Sequence, residues 1–290
     1  MSEPKKTTQA KTKSEELFEQ YLDQSGLQQW EYEPTIEGKI KKPDYQVTVQ
    51  AEPIFFEVKE FEIRTPADSA GGAYDPYPGI RKKIEQLRQK FGEYKMYPCC
   101  GVLFSECHPE IDIESPEIVM GAMLGDLTIR IPIDRNTGFQ TGQIKTIFGK
   151  RGKMINYKKM APQNTTISAL IALDLVRLGQ TKFEIATAKQ EQKIGKGIAE
   201  ENFFDWVEEY KNQGNDLGEK VLRTVVFENP YASHPLRRDI FTGPFDERYG
   251  PNEGYIKRVF VGDGLAEIQS EEEKYGLDLG PLAKTLNKEW

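Results

Sequence analysis

The chain has 290 residues, 38% of them hydrophobic and 29% charged, which is long enough to bury a substantial core. No apolar run reaches the length of a membrane span, and the longest, residues 167–176, is interrupted by Asp174. The net charge of −7 argues against a uniformly basic coat for nucleic acid, and three cysteines in no framework spacing point to a reducing, cytoplasmic setting.

Residues 1–13 are polar and lysine-bearing with no apolar stretch of the kind a secretory signal carries, and they read as a disordered tail. Ser14 is placed to cap a helix running to Gly26, with Leu17, Phe18, Tyr21 and Leu22 on one stripe. A strand over 29–33 and a turn around Gly38 follow. Residues 44–50 alternate apolar and polar and 54–63 are more hydrophobic, so two strands are expected to form a hairpin about Glu52-Pro53. Residues 64–79 read as a mobile loop rich in Gly, Pro and Ala, and 80–94 as a helix with Ile84, Leu87, Phe91 and Tyr94 on one face. The apolar run 99–105 suits a buried strand.

Beyond this point the pattern predicts a short helix over 116–124 and a strand over 127–133. Residues 165–176 fit either a strand or a buried helix, and 183–211 are helical with a break near Gly195 and Gly197. Residues 221–227 form a strand, and 228–254 read as a Pro/Gly-rich surface loop. With no repeat and no linker, residues 14–290 are taken as one α/β domain, a core over 14–106 with an elaboration of mixed helices and strands over 107–290.

Chemistry concentrates in Pro43-Asp44, twelve intervening residues, and Glu57-Val58-Lys59. Alternation along a strand points Glu57 and Lys59 the same way, and a hairpin brings the start of the preceding strand, where Asp44 lies, beside them. Two carboxylates and the Val58 carbonyl are oxygen ligands of the kind that Mg²⁺ or Mn²⁺ prefers, and Lys59 could orient water or offset developing charge. A solvated Glu57–Lys59 surface pair is disfavoured because Phe55 and Phe61 share their face.

The pattern PD-x12-E-V-K resembles the signature of the PD-(D/E)XK phosphodiesterase superfamily, the restriction-endonuclease-like nucleases, whose αβββαβ core order matches residues 14–106. The resemblance implies metal-dependent hydrolysis of a nucleic acid, DNA before RNA, with Asp44 and Glu57 on the metal and Lys59 beside the water. It also implies a glutamate from the first helix, Glu16 or Glu19, and a Gln or Lys from the second, with Gln86 and Lys90 available. Many such enzymes act as homodimers or within larger complexes. A rival reading is a non-catalytic nucleic-acid-binding scaffold that keeps the fold.

Two basic regions are candidates for nucleic-acid contact. Lys83 and Lys90 lie on the second helix, and residues 143–160 hold six Lys/Arg and no acid, with Lys150, Arg151 and Lys153 at their centre. Cys99, Cys100, Cys107 and His108 have no zinc-finger spacing and read as core cysteines, and Gly149–Gly152 lacks the pattern of a nucleotide-binding loop.

Overall fold

The computed structural model describes residues 10–61, 75–105, 112–130, 133–135, 137–141, 145–156, 158–159, 161–195, 203–252 and 255–275. Residues 1–9 of the expected tail, residues 64–74 of the expected loop, and Cys107 with His108 lie outside them.

Helix α1 (Lys13–Gln24) starts earlier than Ser14 suggests. Thr12 is its cap: the Thr12 hydroxyl accepts from Glu15 N–H while the Glu15 carboxylate takes Thr12 N–H, a reciprocal pair that satisfies two otherwise open amides. Ser14, already inside the first turn, instead donates to Glu60 at 2.9 Å. Strands β1 (Trp30–Tyr32), β2 (Tyr45–Val49) and β3 (Glu52–Glu60) are antiparallel neighbours. The turn between β2 and β3 is Gln50-Ala51, both with positive φ, a mirror-image hairpin turn made without glycine. Pro53 therefore sits inside β3 opposite Thr48 rather than at the turn.

Helix α2 (Tyr77–Lys90), extended by a 3-10 turn over Phe91–Glu93, carries the chain over to β4 (Cys99–Phe104), which runs parallel to β3. Next come α3 (Pro116–Leu124), the hairpin β5 (Gly125–Arg130) with β6 (Lys145–Arg151), and the short pair β7 (Ile155–Asn156) with β8 (Ala161–Pro162). The basic stretch over 143–160 is thus partly strand. Strand β9 (Ile167–Val176) returns beside β4 in parallel; residues 167–173 are buried on both faces, which is why their periodicity does not reveal the element.

The rest is α4 (Leu178–Gly195), α5 (Phe203–Asn212), β10 (Val221–Glu228), β11 (Glu247–Asn252), β12 (Tyr255–Val261) and α6 (Asp263–Tyr275). The expected loop over 228–254 therefore ends in a strand. Its Tyr249 is buried, but Gly250 and Pro251 disguise it.

The result is a mixed α/β fold on one eight-stranded mixed sheet, ordered β1-β2-β3-β4-β9-β10-β11-β12. One face buries Phe55, Phe61, Leu103 and Leu170 under α2 and α3. The other buries Phe56, Val58, Val102 and Ile171 against α1 and the segment around Phe241. No helix among the described residues is long and apolar enough to cross a membrane.

Candidate active site

Strand alternation sorts β3 between the two cores. Phe56 and Val58 face α1, whereas Phe55, Glu57, Lys59 and Phe61 face α2. Tyr45 is paired with Phe56, so Asp44, the residue before β2, is level with Glu57. It is fixed there: Asp44 Oδ2 accepts the Val58 N–H at 2.8 Å. Glu57 is 3% exposed. Its Oε1 takes the Lys59 ammonium at 2.7 Å, and its Oε2 lies 3.0 Å from Lys90 Nζ, which is 3.8 Å from Asp44 Oδ1. Asp44, Glu57, Lys59 and Lys90 thus form one cluster of two carboxylates and two ammoniums.

The two ammoniums balance the two carboxylates in number, yet the carboxylates oppose each other. Burial, and then the neighbouring Glu57 charge, push the Asp44 carboxyl up to about 7; the Val58 N–H, Lys90 and Lys59 pull the other way. Glu57 Oε2 is buried and accepts no hydrogen bond; its 3.0 Å approach to Lys90 is ionic and poorly directed.

Lys90 reaches the pair because α2 is held close. Gly101 of β4, level with Glu57, has no side chain; a Cβ there would run into Leu87 Cδ1 on α2. The end of the helix is also strapped to the segment that leads into Asp44. Lys39 Nζ donates to Glu93 O at 2.5 Å, Lys41 Nζ to Gln89 O at 2.6 Å, and Ile40 N–H to the Glu93 carboxylate at 2.9 Å. Tyr94 Oη closes the strap on Lys41 O. Cations at this end also suit the negative pole of the helix. Sequence reasoning misses this strap: lysines bonded to helix carbonyls look like ordinary surface lysines.

The other expected site residues are not gathered here. Glu19 is engaged across the sheet, accepting from Tyr45 Oη at 3.0 Å and pairing with Lys11 at 2.5 Å, and Glu16 is exposed. Glu15, on the same helix, takes the Tyr32 hydroxyl at 3.3 Å. The Tyr32 phenol is pushed up to about 12 by burial and then by Glu15, with Glu33 and Asp44 adding to it. Gln86 lines a shallow cleft of about 580 Å³ together with Lys82, Gln89, Arg151 and Lys153. Arg151 is engaged by Asp126 at 2.7 Å, which also holds Arg81. Lys83 places its ammonium 5.3 Å from the Phe61 ring, and Lys150 is exposed on β6. The cleft thus joins two basic regions that are far apart in sequence.

Asp44 and Glu57 fit a hard divalent cation in one respect: each has one oxygen not taken by Val58 or Lys59, and the Glu57 one is buried without a hydrogen bond. Among the described residues no group of three or more His, Cys, Asp or Glu side chains is placed to hold a metal, so water and backbone would have to complete the shell. Neither a family model, nor a curated protein, nor a solved structure matches the chain.

Proposed function

We propose that this protein is a metal-dependent phosphodiesterase of the PD-(D/E)XK type that cuts nucleic acid, DNA before RNA. The observation that carries this reading is the meeting of Asp44, Glu57 and Lys59 on one face at the end of the β2–β3 hairpin. The element order α1-β1-β2-β3-α2-β4 agrees with the restriction-endonuclease-like core, with helices on both faces.

Asp44 Oδ1, Glu57 Oε2 and the Val58 carbonyl would hold Mg²⁺ or Mn²⁺. Such an ion lowers the pKa of a bound water and neutralises charge on the phosphate. The Val58 N–H keeps Asp44 in place while Lys59, on the solvent side of Glu57, orients the attacking water or offsets charge on the phosphoryl oxygens. Lys82 and Lys153 in the cleft along α2 supply contacts to the substrate backbone.

The rival reading, a scaffold that binds nucleic acid without cutting it, draws on one observation: Lys59 and Lys90 already neutralise both carboxylates. A cleavage assay on single- and double-stranded DNA and RNA separates the two. Cutting is expected with Mg²⁺ or Mn²⁺, and is lost with chelator and in Lys59→Ala. Cutting that survives chelation, or is undiminished in Lys59→Ala, overturns the proposal.

A further inference from the structure

Each carboxylate of the cluster commits one oxygen to a neighbour on the hairpin. Asp44 Oδ2 is held by Val58 N–H, and Glu57 Oε1 by Lys59. The two remaining oxygens face a single ammonium, that of Lys90, at 3.8 Å and 3.0 Å. These are the same two oxygens that the proposed function assigns to a divalent cation. Lys90 therefore occupies the cation's place.

Three features make that occupancy exchangeable. The contact with Glu57 Oε2 is not a directed hydrogen bond, so it lacks the geometry that makes a buried ion pair hard to part. The Lys90 side chain is 27% exposed, which gives the ammonium a route to solvent. The backbone of α2 is fixed by the Lys39, Lys41 and Tyr94 strap, so the flexible four-carbon stem can swing without moving the helix.

Charge decides the direction. With both carboxylates ionised, the two lysines balance their charge. A divalent cation beside an unmoved Lys90 would bring two cations onto the same two oxygens, and like charges in a partly buried site repel strongly.

We infer that Lys90 is a built-in counter-ion of Asp44 and Glu57, which a divalent cation must displace in order to bind. The device, which rests on the metal-dependent reading above, holds two carboxylates together before metal arrives and sets a threshold for metal loading. It also frees a cation beside the carboxylates once metal is bound, where an anionic phosphodiester would meet it.

The test is calorimetric titration of Mn²⁺ into the full chain and into the variants Lys90→Gln, Lys90→Arg and Asp44→Asn, without nucleic acid. Removing the competitor in Lys90→Gln is expected to tighten Mn²⁺ binding by at least about fivefold, the low end of the usual range for coupled binding. Lys90→Arg, which keeps a cation in place, is expected to stay within about twofold of wild type, well under that coupling. Asp44→Asn loses the binding and so locates it. Equal or weaker binding in Lys90→Gln, with Asp44→Asn still abolishing it, overturns the counter-ion role and leaves the metal site standing. Absence of Mn²⁺ binding in both wild type and Lys90→Gln overturns both. A second measurement needs no variant to fold: in wild-type protein the side-chain carbon resonance next to the Lys90 ammonium is expected to shift saturably with Mg²⁺. A resonance that stays fixed while Mg²⁺ binds refutes the displacement.

Discussion

Asp44→Asn isolates the cost of holding two carboxylates side by side. Asn keeps a carbonyl oxygen for the Val58 N–H, which lies 2.8 Å from Oδ2 in the wild type, but removes the charge that Glu57 and burial oppose. The Asp44 carboxyl is raised from 3.8 to about 7, so the folded chain holds that proton more tightly than the unfolded chain does. Below pH 4 both states keep the proton and its favourable contribution is fully present; as pH rises towards 7 the unfolded state ionises first and stability falls. Each tenfold difference in proton affinity between the two states corresponds to about 1.4 kcal/mol, which sets a ceiling of about 4 kcal/mol above pH 7. The side chain is 21% exposed and two lysines can readjust, so the expected gain in Asp44→Asn is roughly 1–3 kcal/mol. Urea unfolding in the presence of chelator, from pH 4 to pH 8, would show the variant level with wild type in acid and more stable at pH 8. A variant less stable at pH 8, or a difference that does not change with pH, would refute the reasoning.

Other perturbations follow from the same contacts. Gly101→Ala forces a Cβ against Leu87, and is expected to cost about 1–3 kcal/mol in denaturant unfolding while loosening α2 and its Lys90. Thr12→Ala removes the capping box and is expected to cost about 1 kcal/mol, measured the same way, with cleavage unaffected at temperatures where the protein stays folded. Arg223 is fully buried among Glu114, Asp174 and Glu247, so Arg223→Met leaves one buried and two partly buried carboxylates without their shared cation. It is expected to cost about 3–5 kcal/mol, and part of this should be recovered at low pH, where burial and Asp174 favour the neutral form of Glu114.

The third of the chain that carries the cluster, residues 14–106, is readable because its signals are local. Alternation along β2 and β3 sets which side chains share a face, and the apolar stripe of α2 places that helix over Phe55 and Phe61. Periodicity cannot show the turn at Gln50-Ala51, since positive φ at two residues other than glycine leaves no composition signal. Nor can it decide β9, buried on both faces, or recover β11, where Pro251 hides a strand paired on both sides. At the site the limits are geometric. Glu15, Glu16 and Glu19 look equivalent in sequence, and only the sheet separates Glu15, bonded to Tyr32, from Glu19, bonded to Tyr45. Lys90 looks like one more basic residue of α2. Its place between two carboxylates depends on Gly101 and on the lysine strap, contacts between residues far apart in the chain.

The most direct test of the cluster as a catalytic centre is the cleavage rate of labelled double-stranded DNA in Mn²⁺ by wild type and by Glu57→Gln. Gln fills the same volume and still offers an oxygen to Lys59, but it lacks the charge. Wild type is predicted to cut, and Glu57→Gln to be slower by at least about a hundredfold while remaining folded. Equal rates in the two proteins, or no cutting by wild type on any nucleic acid with Mg²⁺ or Mn²⁺, would contradict the assignment of Asp44, Glu57 and Lys59 as a nuclease site.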